Sequence, residues 1–531
     1  MGSRKLLDCT LRDGGYINDW EFGHANIIEI FERLVSSHVD YIEVGFLDER
    51  RPFDMNRTIM PDTEAVNRIF GGLDKGSAVV LGMIDFGTCG IEHIQPASEC
   101  FLDGIRVIFK EHLMYPALDF CRQLKELGYK VFAQMVSVTT YTDDKLKEYA
   151  NLVNAIKPYA TSMVDTYGLI DEKDLRHIFS ILDAELETEI KLGFHAHNNF
   201  QLAFSNAKTF LSFPTERDLV TDGTLYAMGK SAGNAAIELL MMDMNRYQGT
   251  QYDLAQVMEA IDNVILDVYR KQYWGYNLKF YISALTRCHP NYVSYLMDKK
   301  TLSVKQILEV LENLTDEKKL LYDAKYAETN YIQYQAEECD DSTTIQMLKD
   351  LFCNRMILAV GPGKTIEREQ RKIRKFIEEN DPLIISVNYL PTSIPADLIF
   401  LTNAKRYNQL VNEKMWKAKE NLRFVATSNV TKVTGDFHYV LNYESLIDKD
   451  AEIIDNSLVM LLKVFLRCGV ASVALAGFDG YSKRSDNYFD TSREYGFVKE
   501  KADYLNSYVR NFLNHHEESL KVSFVTRSRY R

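Results

Sequence analysis

Four residues of this chain have the types and spacing of a metal centre. His195 and His197 are separated by one residue and close a short apolar run, Asp13 lies far upstream, and Asn234 lies downstream. On an extended strand a spacing of two puts both imidazoles on one face. Two imidazoles, a carboxylate and an amide oxygen form a mixed nitrogen and oxygen set. Such a set suits Mg²⁺, Mn²⁺, Zn²⁺ or Co²⁺ in roughly octahedral geometry, with positions left open. Arg12, beside Asp13, adds a guanidinium that can clamp a substrate carboxylate or stabilise an enolate oxygen. An isolated His-x-His is more often structural. Here three polar clusters stand at matching strand ends: Leu11-Arg12-Asp13-Gly14-Gly15, His195-Ala196-His197-Asn198-Asn199 and Gly229-Lys230-Ser231-Ala232-Gly233-Asn234. Together they outweigh the structural reading.

Asp13 and His195 are 195 − 13 = 182 positions apart, so the fold must bring them together. Eight short apolar runs read as strands: Leu6–Leu11, Tyr41–Leu47, Val79–Ile84, Ile105–Phe109, Val131–Val138, Ser162–Val164, Ile190–Phe194 and Leu219–Val220. Segments of helical period separate them. Ile27, Ile28, Phe31 and Leu34 share one helical face, as do Leu175, Ile178, Phe179 and Leu182. Pro116 and Gly128 bracket another helix. Continuous apolar strands alternating with helices imply parallel strands buried on both sides. Eight such units predict a (β/α)8 barrel, with a doubly wound open sheet as the competing layout. On barrel closure strands one, seven and eight become neighbours, and their C-terminal ends share one mouth.

The domains expected are therefore a barrel over 1–250, a helical extension over 251–345, and a C-terminal open parallel α/β (Rossmann-like) domain over 346–531. The acidic stretch 337–344 marks the second boundary. In the last domain Met356–Val360, Leu383–Val387, Leu398–Leu401, Phe424–Ala426 and Val470–Ala476 read as strands. Charge and composition exclude other classes. Acidic residues number 75 against 62 basic, a formal net charge of −13, which disfavours a nucleic-acid binder. No apolar run reaches the roughly 20 residues of a membrane span, and no signal peptide is visible. The eight cysteines form no Cys-x-x-Cys pair, so they read as reduced, mostly buried thiols of a cytoplasmic protein.

The first 300 residues resemble the metal-dependent aldolase, lyase and synthase superfamily, a TIM-barrel family. It includes hydroxymethylglutaryl-CoA lyase, isopropylmalate and homocitrate synthases and, nearest in motif, 4-hydroxy-2-oxovalerate aldolase. The motifs are Asp8-Cys9-Thr10-Leu11-Arg12-Asp13-Gly14, Ile42-Glu43-Val44-Gly45, Asp165-Thr166-Tyr167-Gly168 and His195 to Asn198. The resemblance implies a divalent cofactor, Mn²⁺ or Mg²⁺ with Zn²⁺ or Co²⁺ as alternatives. Asp13, His195 and His197 would hold it, joined by Asn234 as in some members. It implies that Arg12 stabilises a pyruvate-type enolate and that Arg12, Glu43 and Ser137 contact the substrate. Synthases and the CoA lyase carry glutamine two places after the motif glycine, and the aldolase carries an acid/base histidine. This chain has Tyr16 there, able to serve as acid/base or as hydrogen-bond donor. Trp274-Gly275-Tyr276 through Leu285 resembles the aldolase's post-barrel segment and implies that Tyr276 or Tyr281 nears the mouth, with core packing as the competing reading.

In the C-terminal domain, Val360-Gly361-Pro362-Gly363-Lys364-Thr365 runs from strand into helix, where backbone N–H groups favour a phosphate. It is neither a Walker loop nor a dinucleotide fingerprint, and a purely structural turn is the alternative. Ser386-Val387-Asn388-Tyr389, Thr402-Asn403 and Gly477-Phe478-Asp479-Gly480-Tyr481 add polar residues at strand ends. This order resembles bacterial CMP-sugar sialyltransferases and the related domain of motility accessory proteins. It implies a nucleotide or nucleotide-sugar site at Gly361, Gly363, Lys364, Thr365, Asn388 and Asp479. His438 is a candidate only.

These readings combine into a divalent-metal aldolase acting on a small-molecule 2-oxoacid and an aldehyde, fused to a nucleotide or nucleotide-sugar domain and serving bacterial surface glycan biosynthesis. The alternatives are an acyl-CoA-dependent Claisen-type synthase, and a C-terminal domain that binds and regulates without catalysing. The resemblance also implies a homo-oligomer.

Overall fold

The protein is described from a computed structural model covering residues 2–319, 321–336, 339–412, 421–431 and 437–531. It divides into two compact units, Met1–Pro290 and Asn291–Arg531. The helical tract after the barrel is thus split between them.

The barrel of the first unit is built from eight strands, β1 (Arg4–Asp8), β2 (Tyr41–Leu47), β3 (Val79–Asp85), β4 (Gly104–Phe109), β5 (Lys130–Met135), β6 (Ala160–Asp165), β7 (Lys191–Ala196) and β8 (Leu219–Gly223), and a two-residue strand, Ile59–Met60, adds to the end of β2. Each of the eight pairs in parallel with its sequence neighbours. β1 pairs with both β2 (Leu7 opposite Tyr41) and β8 (Arg4 opposite Leu219). That double pairing closes the barrel and excludes the open-sheet alternative. Burial on both faces explains the unbroken apolar runs: all seven residues of β2 are buried. The outer helices turn amphipathic faces to the strands, for example Leu175, Ile178, Phe179 and Leu182 of Glu172–Glu185. Asp171 caps that helix by accepting the Asp174 N–H at 2.8 Å.

The structure shortens several expected strands, among them the fifth, which ends at Met135 rather than Val138, and the first. The first strand ends at Asp8 rather than Leu11, because Thr10 turns back on it. The Thr10 N–H and hydroxyl each donate to the Asp8 carboxylate at 2.9 Å. Residues Thr10–Gly14 then form a single wide helical turn that lifts Arg12 and Asp13 over the barrel end.

The second unit opens with the helices Pro290–Asp298, Val304–Glu312 and Ala324–Gln335. Of the acidic stretch 337–344, residues 337 and 338 lie outside the described residues. The parallel sheet that follows comprises β9 (Ile357–Val360), β10 (Leu383–Val387), β11 (Leu398–Leu401), β12 (Arg423–Thr427), β13 (Tyr439–Leu441), β14 (Ser472–Ala476) and β15 (Lys521–Phe524). Its order is β13-β12-β11-β10-β9-β14-β15, so the chain reverses direction across β9. β13 and β15 lie beyond the five strands expected. No helix among the described residues is long and apolar enough to cross a membrane.

Gly45 carries a constraint on β2. Its φ of +150° and a Cβ position 1.9 Å from the Thr58 carbonyl oxygen leave no room for a side chain. Gly45→Ala is expected to destabilise the barrel by about 3 kcal/mol, read as a lowered urea midpoint. An unchanged midpoint would contradict the close approach of these two segments.

Candidate metal centre

The turn after β1 and the loop after β8 hold Asp13 from two sides. The Asn234 amide donates to Asp13 Oδ2 at 2.6 Å and the Lys230 N–H donates to the same oxygen at 3.1 Å. Asp13 Oδ1 accepts from the Arg12 guanidinium. Against the upward pull of burial, Arg12 and the two imidazoles hold the Asp13 carboxyl well below the usual carboxylate range.

His195 and His197 come from the end of β7 and the residue just past it, with ring centroids 4.9 Å apart. His197 Nδ1 lies 2.9 Å from the Asp165 carbonyl oxygen, an acceptor only, so Nδ1 carries the proton. His195 Nδ1 lies 2.9 Å from the Asp222 carboxylate and donates in the same way. Both rings are thereby fixed with an Nε2 lone pair to offer. Burial pushes the His197 pKa down to about 3, keeping that imidazole neutral. Gly168 permits this packing: with φ of +62° its Cβ position is 2.8 Å from the His197 carbonyl oxygen.

One ligand atom each from Asp13, His195 and His197 lies within 4.8 Å of the others. Two neighbouring polar atoms, His197 Nε2 and Asn234 Oδ1, are buried without a hydrogen-bond partner. A neutral imidazole, an ionised carboxylate and an unpartnered amide oxygen are the donors a divalent cation takes, so the residues fit the group. A second grouping, Cys9 with His195 and Asp222, does not compete. Burial pushes the Cys9 thiol up, and the Asp222 carboxylate is engaged by His195 Nδ1 and Arg106.

Behind the centre runs a chain of buried charges. The Arg12 Nε donates to Glu43 Oε2 at 2.7 Å, Arg106 lies 3.3 Å from the same oxygen, and Arg106 donates to Asp222 at 2.5 Å. Glu43 is fully buried, so its carboxylate meets the two guanidiniums rather than solvent. Arg106 and Asp222 escaped the sequence reading. For Arg106 a signal was present: it is the one charged residue inside an otherwise apolar strand, where an ion is tolerated only with a partner; Asp222 sits at the end of a short strand beside Thr221, where nothing local singles it out.

The other expected residues fall around this centre. Tyr16 packs edge-on against Trp20 at 4.9 Å and Phe46 at 6.1 Å. Although 40% exposed, its phenol is pushed up by desolvation and then by the Asp13 carboxylate, so it stays protonated at neutral pH. Ser137 follows β5 at the mouth with φ of +54°, its N–H donating to Thr166 Oγ1 at 2.8 Å. Tyr281 lies in the helix Leu278–Thr286 and packs against Phe200, 6.0 Å away in the loop after His197. Among the described residues it makes no hydrogen bond or ring contact with the His-Asp cluster.

In the second unit a cavity of 340 Å³ opens at the C-terminal ends of β9, β10, β11 and β14. Gly363, Asn388 and Asp479 line it, and Gly361, Lys364 and Thr365 do not. The Thr365 N–H donates to Asp479 Oδ2 at 2.9 Å and its hydroxyl to Oδ1. The chain's own carboxylate therefore caps the turn where a phosphate was expected. Asn388 spends its amide on Thr402 and Ser457, both at 2.9 Å, tying β10 to β11. Arg406 and Arg493 stand on the cavity wall with Tyr488 and Tyr495.

Asp222 tests this geometry. Asp222→Asn keeps the shape but weakens the hold on His195 Nδ1 and on Arg106. Mn²⁺ affinity in an equilibrium titration is expected to fall about 10- to 100-fold. Wild-type affinity would show that His195 needs no such orientation.

Residues 4–264 match the family model described as HMGL-like. Among curated relatives, the 4-hydroxy-2-oxovalerate aldolase of Moorella thermoacetica is 25% identical over 265 residues, covering 49% of this chain and 76% of that protein. The oxaloacetate decarboxylase of Mycobacterium tuberculosis is 25% identical over 245 residues, covering 45% of this chain and 70% of that one. Among solved structures, hydroxymethylglutaryl-CoA lyase from Pseudomonas aeruginosa has a TM-score of 0.40 at 17% identity, covering 49% of this chain and 91% of that chain. With the closed barrel and its strand-end motifs, the matched stretch sets the first unit apart: residues 4–264 are similar to the HMGL-like family and, at about a quarter identity, to curated aldolases.

Proposed function

We propose that the barrel is a divalent-metal-dependent aldolase that cleaves or forms a carbon–carbon bond next to a 2-oxoacid through a pyruvate-type enolate. The observation that carries this reading is the convergence of Asp13, His195 and His197 ligand atoms within 4.8 Å, beside a buried, doubly anchored arginine. Asp13, His195, His197 and Asn234 would hold the ion. A divalent ion there supplies a Lewis acid for the carboxylate and keto oxygens of the 2-oxoacid.

Arg12 is held on both sides, by Asp13 and by Glu43, and its remaining donors face negative charge as it develops on the enolate oxygen. Glu43 works as the positioning group of Arg12. Tyr16, kept protonated, donates a hydrogen bond to the aldehyde oxygen rather than acting as base. Ser137, at the end of β5, takes the 2-oxoacid carboxylate, and Tyr281 shields the mouth with Phe200. None of the eight cysteines is disulfide-bonded, which supports a reducing, cytoplasmic setting.

For the second unit we propose a nucleotide or nucleotide-sugar ligand, CMP-type first, in the 340 Å³ cavity at the switch point of the sheet. Two guanidiniums on its wall suit a phosphate. Because Asp479 caps the Gly363 turn, the phosphate would meet Arg406 and Arg493 instead. Such a ligand fits a role in building a surface glycan.

Two measurements follow. Chelated protein is expected not to exchange the C3 protons of pyruvate in D2O, and Mn²⁺ to restore exchange. Asp13→Ala is expected to lose both metal and exchange while keeping the circular dichroism of the barrel. Exchange surviving in that variant would overturn the aldolase reading. By calorimetry CMP or UDP is expected to bind the full chain, with Arg406→Gln weakening the complex at least about tenfold. No heat with either nucleotide contradicts the second proposal.

A further inference from the structure

Lys230 has no part in the reaction outlined above, yet it sits at the centre's edge. Its N–H is fastened to Asp13 Oδ2 at 3.1 Å, and its ammonium lies 5.3 Å from the centroid of the Tyr16 ring. Among the described residues it makes no ion pair within 4.0 Å. Every charged group around it is accounted for elsewhere. Both Asp13 oxygens are taken, by Arg12, Asn234 and the Lys230 N–H itself. Asp85, at the end of β3, is exposed and shares its field with Lys110 and Arg50 as well as Lys230. Arg12, Lys110 and His289 add no negative charge. The result is a half-buried ammonium at the mouth of the site that feels Asp13 and Asp85 but, among the described residues, has no carboxylate at ion-pair distance, an arrangement that favours a bound anion.

We infer that Lys230 is a specificity determinant that selects substrates carrying a second carboxylate on the side of the molecule away from the 2-oxoacid head. The inference rests on the proposed occupancy of the head-group site. There the 2-oxoacid carboxylate would already meet Ser137 and the cation, so it is not available to Lys230. An ammonium is a compact single charge without the fork of a guanidinium. It therefore matches one carboxylate, and the acceptor half of the substrate is the part that projects toward the mouth. The substrate class is a 4-hydroxy-2-oxoacid bearing a distal carboxylate, formed from pyruvate and an aldehyde acid or cleaved to them, the C4 hydroxyl becoming the aldehyde and C3 taking the proton.

The test is calorimetric titration of the Mn²⁺-loaded full chain with length-matched pairs: 2-oxoglutarate against 2-oxovalerate, and 2-oxoadipate against 2-oxohexanoate. The dicarboxylate is expected to bind at least about tenfold tighter in one or both pairs. Lys230→Met is expected to bring that ratio within threefold, and Lys230→Arg to keep it. Equal affinities in the wild-type protein at both lengths, or a preference that survives Lys230→Met, overturn the inference. Because binding is read without turnover, the two ideas separate. A preference for the dicarboxylate with no pyruvate exchange removes the aldolase reading and leaves Lys230 its role. Exchange without the preference does the opposite.

Discussion

Three carboxylates and two guanidiniums are buried together at one end of the barrel, and they are tolerable there only as a connected chain. Asp13, Arg12, Glu43, Arg106, Asp222 and His195 follow one another at hydrogen-bond or ion-pair distance. They come from the β1 turn and from β2, β4, β8 and β7. Breaking such a buried pair by removing one partner costs about 3–5 kcal/mol, because a charge is left without compensation. The network therefore depends on barrel closure, and the orientation of His195 and Arg12 depends on the network. The three carboxylates outnumber the guanidiniums by one. A cation among Asp13, His195 and His197 would offset that excess.

This dependence explains what was legible in the sequence. Asp13, His195 and His197 sit at strand ends next to glycines and small polar residues, where chemistry-bearing clusters stand out from apolar runs. Arg106 lies inside the apolar run of β4 and Asp222 two residues past the expected run Leu219–Val220, in the part of β8 that only the structure adds, and their meaning appears only when β4 faces β8 across the barrel. The β1 boundary moved for a local reason, the double hydrogen bond from Thr10 to Asp8. β15 was invisible because its burial pattern alternates exposed and half-buried residues, and β13 has only three residues. The Gly361–Thr365 turn had the backbone of an anion site. Its occupant, Asp479, lies 114 positions away, beyond the reach of a local motif.

Both units place their polar residues beyond the C-terminal ends of parallel strands. In the barrel this is enforced by closure, and in the open sheet by the reversal across β9. The two sites differ in how their polar groups are engaged. In the barrel His197 Nε2 and Asn234 Oδ1 are left without partners. In the second unit Asn388, Thr402 and Ser457 bind one another, so the proposed ligand would meet the cavity through its arginine and tyrosine walls.

The central claim is that a divalent cation lies among one carboxylate and two imidazoles at the barrel mouth. Anomalous diffraction at the manganese edge, from crystals of the full chain grown with MnCl2, tests it most directly. The account predicts one strong peak about 2.1 Å from Asp13, His195 Nε2 and His197 Nε2. Ordered side chains at that position with no peak among them, or a peak only at a distant site, would contradict it.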